Sequence, residues 1–239
     1  MEPLLSIIDL TAGYGDGDVL CGLDMEVSAG ELVAIVGPNG AGKSTVLNAV
    51  MGLLRIRRGD IRFKGESVVN RATESLRSGG IAYVPQVRNV FPSLTVLENI
   101  TVGMARGPDL EGRIEEIMRM FPALETRLHM RAGQLSGGER QMLAFARGLI
   151  SKPLLLLLDE PTAALSPLLS QAIFEQIEQI NQAGNTVILV EQNVRRALDV
   201  CDRGYVLSEG RNALSGKGEE LLSHPEMKAL YLGGARVRE

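Results

Sequence analysis

The segment "LLLLLDEPT", residues 154–162, poses the first question about the fold: five leucines run directly into two carboxylates, Asp159 and Glu160. An uninterrupted apolar run bounded by Pro153 and Pro161 reads as a short strand buried on both faces, the kind found inside a parallel sheet. Ionised carboxylates at the end of such a strand are costly to bury unless a cation, a proton or hydrogen bonds compensate. The pair therefore calls for a partner such as a metal ion.

A second stretch supplies one. "GPNGAGKST", comprising Gly37, Pro38, Asn39, Gly40, Ala41, Gly42, Lys43, Ser44 and Thr45, follows the G-x-x-x-x-G-K-[ST] spacing and lies between a Val/Ile strand and a helix. The glycines let backbone N–H groups wrap phosphates, Lys43 can reach the β and γ oxygens, and the Ser44 hydroxyl suits a Mg2+ ion. The N-terminus of the following helix adds favourable positive potential. A glycine-rich turn with no ligand is the alternative that the spacing leaves open. In nucleotide hydrolases built on such a loop, an aspartate at the end of a second strand holds the metal, and Asp159 is placed to do so. Glu160 is then available to orient or deprotonate the attacking water. Taken alone, Glu160 could equally be a helix-capping acid.

The chain of 239 residues suffices for one substantial domain, or for a core with a smaller subdomain, and is cramped for two. Its formal net charge of −4 argues against a nucleic-acid partner, and the local cluster Arg55, Arg57 and Arg58 reads as a solvated turn. Cys21 and Cys201 form neither a disulfide framework nor a zinc pattern, which fits a reducing compartment, and both are expected as core thiols. The opening "MEPLLSIIDL" lacks the basic head and cleavage pattern of a secretory leader, so a location inside the cell is expected. No apolar run approaches the roughly 20 residues needed to span a bilayer, so any membrane role has to run through a separate subunit.

Along the chain, β-rich stretches are expected over about 4–10, 19–27, 31–36 and 60–63, with the glycine-rich turn and a helix over about 43–53. Helices follow over about 111–120 and 138–151, then the leucine strand. Leu168, Ile173, Ile177 and Ile180 give a helical apolar face over about 167–182. "TVILV" is another buried strand, and a helix starts near Asn193. Strands alternating with helices imply a mainly parallel sheet covered on both faces, while the first third of the chain looks antiparallel. The stretch from about Gln86 to Arg131 breaks the rhythm, with Pro92, Gly107, Pro108 and Pro122 interrupting helical sequence. A single domain over 1–239 results, with about 1–85 and 150–239 forming the core and antiparallel β part, and about 86–149 an inserted helical subdomain. "YLGGARVRE" at the end reads as a loosely ordered tail.

"LSGGERQ", Leu135 to Gln141, occurs between the phosphate loop and the leucine strand, and the three motifs in this order resemble the signature of ATP-binding-cassette (ABC) ATPases over nearly the whole chain. The resemblance implies an α/β phosphate-loop NTPase core with an N-terminal antiparallel β subdomain and an inserted α-helical subdomain. It implies ATP and Mg2+ as ligands. Ser136 and the N–H groups of Gly137 and Gly138 open a helix and form an anion site. In this family that site contacts the γ-phosphate held by a second cassette, so two ATP molecules are sandwiched in a head-to-tail dimer. The partner is a related cassette or a second copy of the chain.

Further positions carry over one at a time. Tyr14 in "AGYGDG" matches the aromatic residue that stacks on adenine, or is an ordinary strand-end tyrosine. Gln86 in "YVPQ" matches the glutamine that senses Mg2+ and attacking water and reports nucleotide state to transmembrane permease subunits. The helical insertion would be their docking surface. Phe91, Leu94, Val96 and Leu97 are candidates for it, with core packing as the alternative. Ser166 stands where many relatives have aspartate. Gln192 stands where a histidine usually contacts the γ-phosphate, and its amide can donate a hydrogen bond but cannot carry a proton charge near neutral pH.

"VEQN", "SPLL", "RGYVLSEG" and "YLGG" together look like the LivF-type ATPase subunits of branched-chain amino-acid importers, with urea or amide importers as close relatives. Gln86 replaces the glutamate often found in that group. The implied setting is the cytoplasmic face of the membrane, with a periplasmic or extracellular solute-binding protein engaged indirectly through the permease. The alternatives are a soluble, cluster-assembly type of ABC ATPase and a cassette that binds ATP without turnover.

Overall fold

The computed structural model describes residues 2–102, 104 and 109–232. Its strands are β1 (Leu5–Gly13), β2 (Leu20–Val27), β3 (Leu32–Val36), β4 (Arg55–Phe63), β5 (Glu66–Ser67), β6 (Ile81–Val84), β7 (Leu155–Asp159), β8 (Thr186–Glu191), β9 (Arg203–Ser208) and β10 (Arg211–Gly216). The α-helices are α1 (Lys43–Val50), α2 (Thr73–Ser78), α3 (Val96–Thr101), α4 (Leu110–Met120), α5 (Pro122–Glu125), α6 (Gly137–Leu149), α7 (Pro167–Gln182), α8 (Val194–Val200), α9 (Gly218–Ser223) and α10 (Pro225–Leu232).

Two sheets result, one in the order β2-β1-β4-β5 and the other β10-β9-β3-β8-β7-β6. In the second, β9, β3, β8, β7 and β6 pair in parallel and only β10 runs antiparallel. The first is antiparallel throughout. This is the expected α/β arrangement, and it follows from composition: β3, β7 and β8 are buried at every position, as near-continuous Val, Ile and Leu runs require.

Successive residues of each central strand serve opposite cores. Leu32, Ala34, Leu156, Leu158 and Leu189 pack on one face with Phe145 of α6 and Ile177 of α7. Val33, Ile35, Leu157 and Ile188 pack on the other with Leu47 of α1 and with Leu5, Leu23 and Met25 of the antiparallel sheet. The sheet is thus a wall between two cores, and its period-2 alternation distributes one apolar run to both.

Several local expectations change. Leu154 is 45% exposed, so the leucine strand begins at Leu155. Strand β4 starts at Arg55, so Arg55, Arg57 and Arg58 are exposed positions along a strand and not a turn; Arg57 pairs with Asp18 and Arg58 with Asp9. Helix α1 ends at Val50, short of residue 53, where Met51 and Gly52 turn the chain. On α7, Ile173, Phe174, Ile177 and Ile180 are buried, but Leu168 in the first turn is 78% exposed. Cys21 and Cys201 are half-buried free thiols and not core residues; burial nevertheless pushes the Cys201 thiol up to about 12. Strands β6, β9 and β10 complete the large sheet without having been anticipated. Gly107, Pro108 and the tail from residue 233 onward lie outside the described residues.

Phe145 is fully buried in the helix-side core. Phe145→Ala should destabilise the chain by about 3–5 kcal/mol, read as a lowered urea midpoint with little change in slope.

Candidate nucleotide-binding site

The parallel register brings the chemistry together. Val36 at the end of β3 lies opposite Glu191 of β8, and Asp159 at the end of β7 lies opposite Val190. The loop after β3, the acids after β7 and the turn after β8 therefore emerge along one edge, at the carboxyl ends of the strands where open α/β sheets hold their ligands.

Residues 37–42 make a loop that only glycine permits at its ends. A Cβ on Gly37 would sit 2.4 Å from the Leu207 carbonyl oxygen. Gly42, with φ of 99°, immediately precedes α1, and a Cβ there would sit 2.8 Å from a Leu20 methyl. The loop curls round Lys43, whose Nζ donates to the carbonyls of Gly37 (3.0 Å) and Pro38 (3.2 Å). Burial pulls the Lys43 ammonium below the ordinary lysine value, against the opposing pull of Glu160, Asp159 and Glu191.

The Ser44 hydroxyl donates to Asp159 Oδ1 at 2.7 Å, across 115 residues of sequence. Tyr83 of β6 donates its hydroxyl to the other oxygen, Oδ2, at 3.0 Å; burial and the adjacent Asp159 raise the Tyr83 phenol above its usual value. Glu160 follows with φ of 44°, a left-handed conformation that costs a non-glycine residue about 1–3 kcal/mol. Its Oε2 accepts from Gln86 Nε2 at 2.8 Å and from Gln192 Nε2 at 2.7 Å. Its Oε1 lies 3.9 Å from Lys43 Nζ. Asp159 and Glu160 are both buried.

Among the described residues no group of three His, Cys, Asp or Glu could hold a metal ion by itself. The donors that do converge are hard oxygens, the Ser44 hydroxyl and the Asp159 carboxylate, with the Gln86 amide beside Glu160. That set fits Mg2+, which takes one or two protein oxygens and completes its shell with phosphate and water.

The remaining candidates lie as follows. Tyr14 is 54% exposed just beyond β1 and accepts a hydrogen bond from Asn48 of α1 at 2.8 Å. Ser136 caps α6 in a reciprocal box: its Oγ accepts from the Glu139 N–H, and its own N–H donates to the Glu139 carboxylate. Gly137 and Gly138 form the first turn of that helix, and Leu169 packs over Gly138. Ser166 caps α7, accepting from Leu169 N–H. Of the proposed docking residues Phe91 is exposed, Leu94 and Leu97 are half-buried, and Val96 is fully buried in the helix-side core.

Sequence reasoning passed over Tyr83, Thr162 and Glu191. Glu191 is 2% exposed; its Oε1 accepts from both the N–H (3.1 Å) and the hydroxyl (2.8 Å) of Thr162, and its Oε2 accepts from Gln192 N–H (3.2 Å). Burial raises its carboxyl above the usual range while these donations oppose the rise. The signal was present, since "TVILVE" is an apolar strand ending in an acid, like "LLLLLD".

A parallel sheet with a phosphate loop after one strand and paired acids after another defines a phosphate-loop NTPase. The ABC transporter family model matches residues 20–163, and the chain belongs to that family of ATP-binding, ATP-hydrolysing cassettes. It is 43% identical over 233 residues to the high-affinity branched-chain amino acid transport ATP-binding protein BraG of Pseudomonas aeruginosa, covering 97% of this chain and 100% of that one. It is 40% identical to the probable branched-chain amino acid transport ATP-binding protein LivF of Archaeoglobus fulgidus, covering 96% and 99%. The ADP conformation of an ATP-binding cassette of an ABC transporter superposes with a TM-score of 0.88 at 25% identity, covering 98% of this chain and 100% of that chain.

Gln192 gives Glu160 a neutral donor where an imidazole would titrate. If Glu160 takes a proton from the attacking water, Gln192→His should introduce a pH dependence: below about pH 6.5 an imidazolium would ion-pair with Glu160 and hinder that step, so the ratio of variant to wild-type kcat should fall as pH drops. Steady-state ATPase assays at saturating Mg2+ measure this ratio free of the titration of the substrate.

Proposed function

We propose that this chain binds Mg2+·ATP, pairs head to tail with a second cassette around it, and hydrolyses it to drive import of branched-chain or other small amino acids through a transmembrane permease. The observation that carries the hydrolytic part is the meeting of Ser44, Asp159 and Glu160 at one sheet edge, with Lys43 beside them. The similarity to BraG and LivF over nearly full length supports the choice of solute.

Phosphoryl transfer leaves a protein little covalent work, so catalysis is positioning and charge. The amides of residues 37–45 would wrap the phosphates, and Lys43 would turn its ammonium from the Gly37 and Pro38 carbonyls to the β and γ oxygens. Ser44 and Asp159, with Gln86, would hold Mg2+, which when bound neutralises charge on the phosphates. Glu160 would take a proton from, or orient, the attacking water, with the amides of Gln86 and Gln192 fixing its Oε2. Tyr14 would carry the adenine on its exposed ring. Ser136 and the N–H groups of Gly137 and Gly138 would close on the γ-phosphate of the second cassette.

Two surface features support the proposed partners. Leu169 over Gly138, with the 78%-exposed Leu168 next to it, leaves apolar surface beside the signature turn, as a face covered by a second cassette would. A groove of about 850 Å3 opens between α2, β6 and α6, lined by Leu53, Arg77, Arg88, Val102 and Arg147 among others. Phe91 stacks under the Arg147 guanidinium at 4.6 Å. A basic, part-apolar groove of this size suits a docked permease segment and would hold the chain at the cytoplasmic face. Among the described residues no helix is long and apolar enough to cross a membrane.

Glu160→Gln should lower kcat by at least about 100-fold while ATP affinity persists, trapping ATP-bound dimers visible by size-exclusion chromatography. Normal turnover in that variant would remove Glu160 from the mechanism. Co-purification of the wild-type chain with a multi-span permease tests the transport role.

A further inference from the structure

Glu191 belongs to none of the roles above, yet it is the most deeply buried carboxylate at the sheet edge. It sits at the close of a hydrogen-bonded ring. Glu160 N–H donates to the Val190 carbonyl at 2.9 Å, so the backbone of Glu160 is already tied to β8. Two residues on, Thr162 donates twice to Glu191 Oε1. Glu191 Oε2 accepts from the N–H of Gln192, and the Gln192 side chain returns to Glu160 Oε2. Every link of this ring is 3.2 Å or shorter.

The ring acts on a residue that needs holding. Glu160 is in the left-handed region with φ of 44°, and such a conformation persists only where the surroundings over-determine it. Thr162 is itself buried, and the turn it begins continues through Ala163 N–H to the Glu160 carbonyl and Leu165 N–H to the Thr162 carbonyl. A carboxylate suits the centre of the ring because it only accepts: three donors converge on it, and an amide in its place would set one N–H against another. Burying a charged group merely to join two loops would be costly, whereas here each oxygen is hydrogen-bonded and the result fixes both ends of a neighbouring acid.

We propose that Glu191 is a positioning residue for ATP hydrolysis: by tying Thr162 to Gln192 it holds the strained backbone of Glu160 and aims the amide that orients the Glu160 carboxylate. This rests on the reading of Glu160 as the group that handles the attacking water. It assigns the placement of Glu160 to a residue whose own hydrogen bonds run to Thr162 and Gln192.

The test is Glu191→Gln in the full chain, assayed with any permease that co-purifies. We expect kcat to fall by about 10- to 100-fold, the range that small misplacement of a catalytic group costs. Affinity for a fluorescent ADP analogue, measured in EDTA, should stay within about twofold, because the phosphate loop is untouched. In the nucleotide-free chain, hydrogen exchange at the Thr162 amide should accelerate about tenfold or more, while β3 and β7 keep their protection. Wild-type kcat, unchanged exchange at Thr162, or a parallel loss of affinity and kcat would each overturn the proposal. Should Glu191→Gln fail to fold, Thr162→Val, which keeps the N–H and removes the hydroxyl, decides on the same kcat, affinity and exchange readouts. Glu160→Gln separates the two levels. If that variant retains turnover, the reading of Glu160 fails; if it is inactive while Glu191→Gln turns over normally, only the role of Glu191 fails.

Discussion

Three carboxylates buried within reach of a single ammonium govern this structure. Asp159, Glu160 and Glu191 are between 2% and 8% exposed, and Lys43, 6% exposed, is the cation among them. In a low-dielectric interior an uncompensated negative charge is far more costly than in water. The chain meets part of that cost with donors: Ser44 and Tyr83 on Asp159, Gln86 and Gln192 on Glu160, Thr162 and Gln192 on Glu191. A surplus of negative charge remains. It disfavours a bare polyphosphate and favours one that arrives with a divalent cation, which is the charge argument for Mg2+·ATP over ATP alone.

The sheet makes this concentration possible. Parallel strands point all their carboxyl ends one way, so residues far apart in sequence arrive at one edge, and apolar strands buried on both faces keep that edge rigid. The antiparallel sheet contributes differently. With α1 it covers one face of the wall, and Leu20 on β2 packs against the glycine at the start of α1. The shape of the phosphate loop thus depends on packing from the antiparallel layer as well as on its own glycines.

Legibility divides along physical lines. The site could be read where chemistry repeats in a short stretch: "GPNGAGKST" and "LLLLLDEP" each combine a buried strand with groups that a strand does not need for folding. Their contact at 2.7 Å across 115 residues was inferred from roles, not from pairing. Strand β4 was half read because it is covered on one side only and its pattern breaks at Gly59, where a Cβ would sit 2.4 Å from backbone oxygens of β1; the register of β1 and β4 shifts there. For Val96 the sequence left docking and core packing open, because an apolar residue in the first turn of a helix can face either way; the capping box of Thr95 and Glu98 turns it inward, into the core. Leu168 faces outward for the complementary reason, one residue after Pro167 in the first turn of α7. Glu191 escaped notice because its neighbour Gln192 drew the comparison with a histidine, although the strand that ends in it has the same grammar as β7.

Gln192 orients Glu160 with a group that does not titrate near neutral pH. Its amide reaches Glu160 Oε2 at 2.7 Å, the same oxygen that Gln86 reaches at 2.8 Å, so one carboxylate oxygen is fixed by two neutral donors. The other oxygen faces Lys43 at 3.9 Å, beyond hydrogen-bond distance. Glu160 is therefore directed without being locked into a tight ion pair. On the proposal that Glu160 handles the attacking water, this arrangement aims the carboxylate and leaves its second oxygen free of a hydrogen bond to Lys43. Two amides and one more distant ammonium thus set the direction of the carboxylate, the geometry that the proposed hydrolytic role requires.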